Sequence, residues 1–403
     1  MPFLNESNRA LRGKARSAAN ELVRPLAQKY DHLQEYPWEI LEGLKARGLM
    51  GVWIPEEYGG QGGSVLDLCL VIEELSRACG GVGTMYAVNA LGSFPIMLAG
   101  TEDQKKRFLP SIARGEKLIA FGLSEKMAGS DASSLKTMAT KDGDDYIIQG
   151  EKKWTTNGGA ADYYTVFAVT DPDSKKRRVS ALIVEKDMEG FSIGKVEDKM
   201  GIRCVPVVEA IYDNVRVPSS NLLGGEPGLG FRHAMMTLDL ARPGVAAQAM
   251  GLAQGALDLA LAYTHRREQF GQTVASFQMV QGMLADMSSK TSAARQLIYA
   301  AAKAAADGHP DLSLFSAQCK LLASDVAMQV TTDAVQLFGG YGYMRDYPIE
   351  KFMRDAKITQ IYEGTNQIQR LVVARNLTKY VERDLGFLDD FIPQERSTRS
   401  SIW

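Results

Sequence analysis

The spacing of apolar residues along this chain changes twice, near residue 117 and again near residue 230. Before residue 117, apolar residues such as Leu11, Ala15 and Leu22 recur at the 3.6-residue period of a helix. Between the two points the apolar residues form short β-branched and aromatic runs, among them LIAFGL, YYTVFAV and VSALIV, separated by Gly, Asp, Asn and Pro. After residue 230 the helical period returns in segments near 243–267, 275–307 and 311–338.

This order predicts a multidomain α+β protein. We expect an N-terminal α-helical domain over 1–117, a middle antiparallel β-barrel or sandwich over 118–229, a C-terminal helical bundle over 230–382 and an irregular tail over 383–403. No strand in the middle region alternates with a long helix, which disfavours a doubly wound sheet. Long helices joined by short loops favour a bundle.

Charge and composition exclude several classes of protein. The 46 Lys and Arg nearly balance the 48 Asp and Glu, so no overall positive field would hold nucleic acid or an anionic membrane. Four cysteines are too sparse for a disulfide framework, which favours a reducing compartment. The four histidines show no metal-ligand spacing, so no metal site is expected.

One uncharged stretch, residues 78–101, is long enough to span a bilayer. Its five glycines, one asparagine and one proline favour a buried helix instead. The N-terminus has no apolar signal region, which argues against secretion, although a transit peptide is a weaker alternative.

Neither a dinucleotide-binding GxGxxG nor a P-loop motif is present, but four segments contain polar residues that suit a ligand site. The first, FGLSEKMAGSD over 121–131, offers backbone N–H groups and hydroxyls to a heterocycle or a phosphate, with a simple β-turn as the alternative. The second, KWTTNGG over 153–159, places a tryptophan and two threonines where a flat ring could stack, with a cross-strand Trp as the alternative.

The other two segments lie in the C-terminal region. The third combines Asp239 and Arg242 with Arg267, whose guanidinium could bind a pyrophosphate. The fourth extends over 336–370 and contains Glu363 directly before Gly364. An apolar pocket would raise the pKa of Glu363 and make it a usable base, whereas a plain helix N-terminus would lower that pKa.

Together and in this order, the four segments resemble the acyl-CoA dehydrogenase flavoprotein family. The resemblance runs from residue 49 to about residue 375, through LSE, AGSD, WTTNGG, KMGIR, RREQFG, QLFGGYGY and RDAKITQIYEGTNQIQR. It implies a C-terminal four-helix bundle, an FAD cofactor at a subunit interface and a homotetramer. Lys126 and Met127 depart from the Pro-Gly that is usual in the first segment.

The resemblance also assigns roles to individual residues. The flavin-binding set would be Phe121, Leu123, Ser124, Gly129, Ser130, Trp154, Thr155 and Thr156, with Ser124 at the pyrimidine edge and Thr156 near N5. The set for the ADP half would be Arg267, Phe270, Phe277, Gln278, Gln336, Leu337, Gly339 and Gly340, with Thr365 and Gln367 from another subunit. The acyl-CoA set would be Ser130, Asp239, Arg242 and Gly364, with Glu363 as catalytic base.

The implied reaction is α,β-dehydrogenation of an acyl-CoA thioester. Glu363 would take the α-proton while the β-hydride goes to flavin N5, which gives a trans-2-enoyl-CoA. The reduced flavin would then pass its electrons to electron-transfer flavoprotein. The isovaleryl- and long-chain-like branches of that family place their base just before an Arg-Pro pair. That position is Ala241 here, so the resemblance implies a base at Glu363, as in the short- and medium-chain branch. An oxidase that uses O₂ and a non-catalytic scaffold are the alternatives. A bacterial cytoplasm is the expected location, and the acyl group itself cannot be identified from the sequence.

Overall fold

The N-terminal domain is helical, as predicted. The computed structural model describes residues 4–386, and its first helices are α1 (Glu6–Ala18), α2 (Ala27–Leu33), α3 (Trp38–Ala46), α4 (Val65–Ser76), α5 (Gly80–Ala99) and α6 (Glu102–Ala113). The capping box predicted before α6 is present, because the Thr101 side chain accepts from the Gln104 N–H and the Gln104 side chain accepts from the Thr101 N–H.

The uncharged stretch forms α5, which is buried inside the protein. It packs against α4, against the later helix Gly230–Arg266 and against the strand Ile119–Gly122. Two helices, α5 and Gly230–Arg266, are long and apolar enough to cross a membrane, but 72% of the apolar window of each is buried in the fold. Both therefore have the burial of core helices.

The middle domain is a seven-stranded sheet with strands β1 (Ile119–Gly122), β2 (Met138–Asp142), β3 (Asp145–Thr156), β4 (Tyr163–Val169), β5 (Val179–Glu185), β6 (Phe191–Val196) and β7 (Val207–Pro218). The strand order is β1-β4-β2-β3-β7-β6, with β5 paired to β4. Most pairs are antiparallel, but β1 pairs with β4 in parallel, so the sheet is mixed. The polar strands β2 and β6 were not predicted from the sequence, because neither has a clear apolar run.

The C-terminal domain consists of α7 (Gly230–Arg266), a small hairpin of β8 (Glu268–Gln269) and β9 (Gln272–Thr273), α8 (Gln278–Ala306), α9 (Leu312–Phe338), α10 (Ile349–Lys357) and α11 (Asn366–Asp384). Helices α7, α8 and α9 pack against one another, and α11 packs against α9, which completes the predicted bundle. The predicted fold class is thus confirmed. Of the predicted tail, residues 387–403 lie outside the described residues.

Helix α7 begins at Gly230, earlier than the segment predicted from residue 243, and it continues through Pro243. A proline has no N–H to donate to the carbonyl four residues earlier. That carbonyl belongs to Asp239, and it accepts instead from the Ser316 hydroxyl of α9 at 2.5 Å. A neighbouring helix therefore satisfies the group that the proline leaves free, and the helix is not interrupted.

Candidate active site

The loop between α10 and α11 holds Glu363 in an unusual backbone conformation. Glu363 has a φ of 51° and Gly364 a φ of 89°, both in the left-handed region that a glutamate seldom adopts. Side chains from outside the loop hold its carbonyl groups. Arg242 Nε donates to the Glu363 oxygen at 3.4 Å, and Gln369 Nε2 donates to the Glu363 and Gly364 oxygens at 3.3 and 2.9 Å.

The Glu363 carboxyl group is set in the protein interior. The residue keeps some accessible surface, but its Oε2 atom is buried and has no hydrogen-bond partner among the described residues. Burial raises the pKa of Glu363 to about 7, although the charges of Arg242 and Lys320 act in the opposite direction. A carboxyl group with such a pKa can accept a proton near neutral pH and release it again.

Helix α5 connects this loop to the end of β3. The Met85 carbonyl accepts from Asn157 Nδ2 at 3.3 Å, so the WTTNGG segment lies against α5. One residue earlier, the Thr84 hydroxyl accepts from Gln248 Nε2 at 2.7 Å, and the Tyr362 hydroxyl donates to Gln248 Oε1. The second and fourth segments of the sequence analysis thus meet on consecutive residues of one helix.

The first and second segments are adjacent in the sheet. The Lys153 N–H donates to the Ser124 carbonyl at 2.9 Å. Lys152 Nζ donates to the Leu123 carbonyl at 3.2 Å and forms an ion pair with Glu125 at 2.7 Å. Trp154, 52% exposed and with a φ of 55°, follows directly. The structure therefore brings the two predicted flavin-facing segments side by side.

A separate cleft of about 570 Å³ lies where α7 ends and α9 ends. Its lining includes five of the predicted ADP-binding residues, Arg267, Gln336, Leu337, Gly339 and Gly340. The Arg267 guanidinium lies over the Tyr341 ring at 5.6 Å and has no carboxylate partner among the described residues. A cation in this position is free to bind an anionic group.

Two further predicted residues, Asp239 and Thr365, lie next to the Glu363 loop. Asp239 binds Arg242 Nη1 at 2.8 Å, close to the Glu363 loop. Thr365 caps α11, because its hydroxyl accepts from the Ile368 N–H at 3.2 Å. The exposed members are Gly129, Ser130, Gln278 and Gln367, together with Phe270, which is 94% exposed and whose ring centroid lies 6.1 Å from that of Phe277.

Three segments of the chain match models of known protein families. Residues 5–116 match the acyl-CoA dehydrogenase N-terminal domain, residues 120–215 its middle domain and residues 228–378 its C-terminal domain. The chain belongs to the acyl-CoA dehydrogenase family. It is accordingly an oxidoreductase of the flavoprotein class, and the resemblance stated from the motifs is confirmed.

Relatives and solved structures agree with this assignment. The chain is 51% identical over 376 residues to the probable acyl-CoA dehydrogenase fadE25 of Mycobacterium leprae, covering 93% of this chain and 96% of that protein. It is 45% identical over 372 residues to a short-chain specific acyl-CoA dehydrogenase of Clostridium acetobutylicum, covering 92% and 98%.

Three solved structures are similar to this member of the family. Butyryl-CoA dehydrogenase from Megasphaera elsdenii matches with a TM-score of 0.90 at 44% identity, over 93% of this chain and 99% of that one. A chain from a study of the electron transferring flavoprotein of Acidaminococcus fermentans matches at 0.91 and 47%, over 94% and 99%. A glutaryl-CoA dehydrogenase of Mycobacterium smegmatis in complex with FADH2 matches at 0.87 and 28%, over 93% and 95%.

The residues of this acyl-CoA dehydrogenase fit a flavin. The Trp154 ring stands half-exposed at the end of β3, where a flat ring could pack against it. Thr155 Oγ1 and Asn157 Oδ1 beside it are buried without partners among the described residues. Unpaired buried polar atoms are rare, and both belong to the WTTNGG segment, which the resemblance assigns to the flavin site.

Sequence reasoning missed several residues that shape the site. Lys320 and Gln369 are completely buried and bind the carbonyls next to Glu363, and Gln248 joins Tyr362 to Thr84. One signal was available for Lys320, which lies on the apolar face of α9 at helical spacing from Ala323 and Ala327. A lysine on a buried face requires partners, although the sequence could not show which ones.

Proposed function

We propose that this acyl-CoA dehydrogenase converts an acyl-CoA thioester to the trans-2-enoyl-CoA with Glu363 as the base that removes the α-proton. The observation that carries the proposal is the buried, unpaired Glu363 carboxyl oxygen, with a pKa raised to about 7 by burial. Arg242 donates to the Glu363 carbonyl and pairs with Asp239 at 2.8 Å. We propose that Ser130, Asp239, Arg242 and Gly364 contact the acyl-CoA thioester.

The chain's own groups account for the proton step. An α-proton next to a thioester is weakly acidic, so the thioester oxygen requires donors that are already in place. The Glu363 N–H donates to no other group in the described part of the chain and is our candidate donor. Such a donor contributes about 3 kcal/mol to transition-state stabilisation. When bound, FAD supplies the acceptor for the hydride that leaves the β-carbon.

We further propose where FAD binds. Phe121, Leu123, Ser124, Gly129, Ser130, Trp154, Thr155 and Thr156 would contact the flavin, and Arg267, Phe270, Phe277, Gln278, Gln336, Leu337, Gly339 and Gly340 the ADP half. Thr365 and Gln367 would reach the cofactor of another subunit in a homotetramer. The complex of a related glutaryl-CoA dehydrogenase with FADH2 supports the choice of cofactor. We propose electron-transfer flavoprotein as the electron acceptor and the cytoplasm as the location.

The substrate class can be tested directly. Relatives described as short-chain specific and as butyryl-CoA dehydrogenase make short straight acyl groups the first candidates. A cyclohexane-1-carbonyl-CoA dehydrogenase of Geobacter metallireducens at 44% identity adds alicyclic ones. We would mix the enzyme anaerobically with straight, branched, alicyclic and arylalkyl thioesters and record flavin absorbance. Absence of bleaching by every thioester would refute the proposed reaction.

Electron transfer to oxygen is the outcome that would change the reaction class. After substrate reduction, a dehydrogenase should be reoxidised slowly by air and rapidly by electron-transfer flavoprotein. Fast peroxide formation in stopped-flow experiments would identify an oxidase that uses the same base.

The pH dependence of the reaction should reveal the base. Only the ionised carboxylate of Glu363 can accept a proton, and its pKa is about 7. We therefore expect kcat/KM to fall about tenfold per pH unit below pH 7, because this parameter reports the free enzyme. A profile that stays flat down to pH 5, measured with a substrate whose chemistry is rate-limiting, would contradict the assignment.

Arg267 provides a test of the cofactor site. Replacing it with alanine removes the cation from the cleft that is lined by Gln336 and Gly340. Loss of an anion contact of this kind weakens binding by about tenfold. We expect Arg267→Ala to lose FAD on dilution and gel filtration. When the variant is saturated with FAD, its kcat/KM should fall below pH 7 in the same way as that of the wild type. Arg47→Ala, which removes an exposed arginine paired with Glu21, is the matched control and should retain FAD.

A further inference from the structure

Lys320, in the first half of α9, is a buried lysine without an ion pair among the described residues. Its side chain is 0% exposed, and it forms no salt bridge with any carboxylate in the described part of the chain. Its Nζ donates to the Gly364 carbonyl at 2.8 Å and to Asn366 Oδ1 at 2.9 Å. Both acceptors lie within three residues of Glu363.

The other fully buried lysines of the described chain behave differently. Lys152 is paired with Glu125 at 2.7 Å, and Lys351 is paired with Asp355. Burying an ammonium group is unfavourable unless a carboxylate or several acceptors compensate for the lost water. Two neutral oxygen atoms, rather than a paired carboxylate, therefore bind the Lys320 ammonium group, and both belong to the segment that directly follows Glu363.

Lys320 binds the loop at the point where the backbone is strained. Glu363 occupies the left-handed region, which costs about 1 kcal/mol or more for a residue with a side chain. Such a conformation persists only when its surroundings hold it. The Glu363 carbonyl accepts from Gln369 of α11 and from Arg242 of α7. The Gly364 carbonyl accepts from Gln369 and from Lys320 of α9.

Asn366 fixes the lysine in turn. Its side-chain amide donates to Ser324 Oγ at 2.8 Å and to Asp325 Oδ1 at 2.7 Å, both on α9. Its Oδ1 is thereby oriented toward Lys320 Nζ. The ammonium group is thus held between α9 and the start of α11, and its position relative to Gly364 is determined by two elements rather than by one flexible side chain.

We propose that Lys320 is a positioning residue for the catalytic base: by binding the Gly364 carbonyl it holds Glu363 in its reactive orientation, and its charge favours the ionised carboxylate. The inference rests on the proposed role of Glu363. Lys320 acts through the backbone and through its charge, since the structure shows no hydrogen bond between its ammonium group and the carboxylate.

The electrostatics agree with this geometry. Burial lowers the pKa of Lys320 to about 7, and the Glu363 charge opposes that decrease. The positive charges of Arg242 and Lys320 in turn oppose the rise in the pKa of Glu363. The other titratable groups that face these residues from α7, α9 and the loop are Asp239, Cys319, Asp325 and Tyr362.

Two substitutions separate position from charge. Lys320→Met removes both the donor and the charge, whereas Lys320→Gln removes the charge and keeps an N–H donor on a side chain that is one atom shorter. Thr331→Val is the matched control, because Thr331 is buried on the same helix and its hydroxyl bonds only to carbonyls of α9. Each holoenzyme is measured for kcat, KM and the pH dependence of kcat/KM, after thermal melting and FAD content have shown that it is folded.

An infrared titration supplies a readout that does not depend on turnover. The carboxylic acid band that disappears in Glu363→Gln reports the protonation of Glu363 directly. Both Lys320 variants lose a positive charge near the Glu363 carboxylate, which should raise the pKa of Glu363. We therefore expect the infrared titration and the acid limb of kcat/KM to move to higher pH by about one unit. Lys320→Met should also lower the plateau kcat about tenfold with little change in KM, and Lys320→Gln should retain more of it.

The outcomes distinguish the two proposals. The role of Lys320 would be overturned if both variants kept the wild-type plateau of kcat and the wild-type acid limb of kcat/KM. It would also be overturned if the plateau fell while the acid limb and the infrared titration stayed at the wild-type pH. If Lys320→Met does not fold, the limb of Lys320→Gln decides alone. If Glu363→Gln stays active, the base assignment fails whatever the Lys320 variants do.

Discussion

Replacing Glu363 with glutamine should lower the rate of substrate-driven flavin reduction by about 10⁴-fold, because the amide cannot accept the α-proton. The substitution keeps the size of the side chain. It also removes a group whose charged form is disfavoured by burial, so the fold should not be weakened. We therefore expect FAD to be retained and acyl-CoA still to bind, with the loss confined to the chemical step.

Anaerobic stopped-flow mixing with the best thioester of the panel gives the rate of bleaching. Glu42→Gln is the matched control, since Glu42 is an exposed carboxylate on α3 that pairs with Lys45. It should behave as wild type. Bleaching by Glu363→Gln at a rate near that of wild type would show that another group removes the proton.

The second large effect is expected at Glu125, which lies within the first of the two predicted flavin-facing segments. Glu125 accepts from Lys152 Nζ at 2.7 Å and from the Lys136 and Thr137 N–H groups at 2.7 and 3.0 Å. Lys152 is 0% exposed, and burial already lowers its pKa to about 8. Removing the partner charge from a buried pair leaves the other charge uncompensated and costs about 3–5 kcal/mol.

Glu125→Gln should therefore unfold at clearly lower urea concentration and lose FAD, since Lys152 also holds the Leu123 carbonyl. The double variant Glu125→Gln with Lys152→Met should recover part of this loss, because the unpaired ammonium is gone. Glu116→Gln, which removes an exposed partner of Arg114, should leave the unfolding midpoint nearly unchanged. Equal midpoints for Glu125→Gln and wild type would contradict the buried-pair argument.

Much of the architecture was accessible from the residues alone. Helical periodicity and the capping box at Thr101 predicted helices that the structure contains. Two kinds of structural feature could not be predicted from the sequence. Strands β2 and β6 depend on neighbouring strands rather than on an apolar pattern of their own, and α7 passes through Pro243 because Ser316 satisfies the Asp239 carbonyl. Both depend on contacts between distant parts of the chain, which local propensity does not describe.

The linear order of residues determined the family, the three-part organisation and the identity of Glu363 as the candidate base, because motif and periodicity are properties of neighbouring positions. Only the tertiary structure decided the environment of that carboxyl group. Its buried oxygen, its raised pKa and the support from Arg242, Lys320 and Gln369 arise where α7, α9 and α11 converge on one loop. Desolvation and hydrogen bonding depend on the three-dimensional surroundings of a group, and one of the residues that supply them here, Arg242, is 121 positions from Glu363 in the chain.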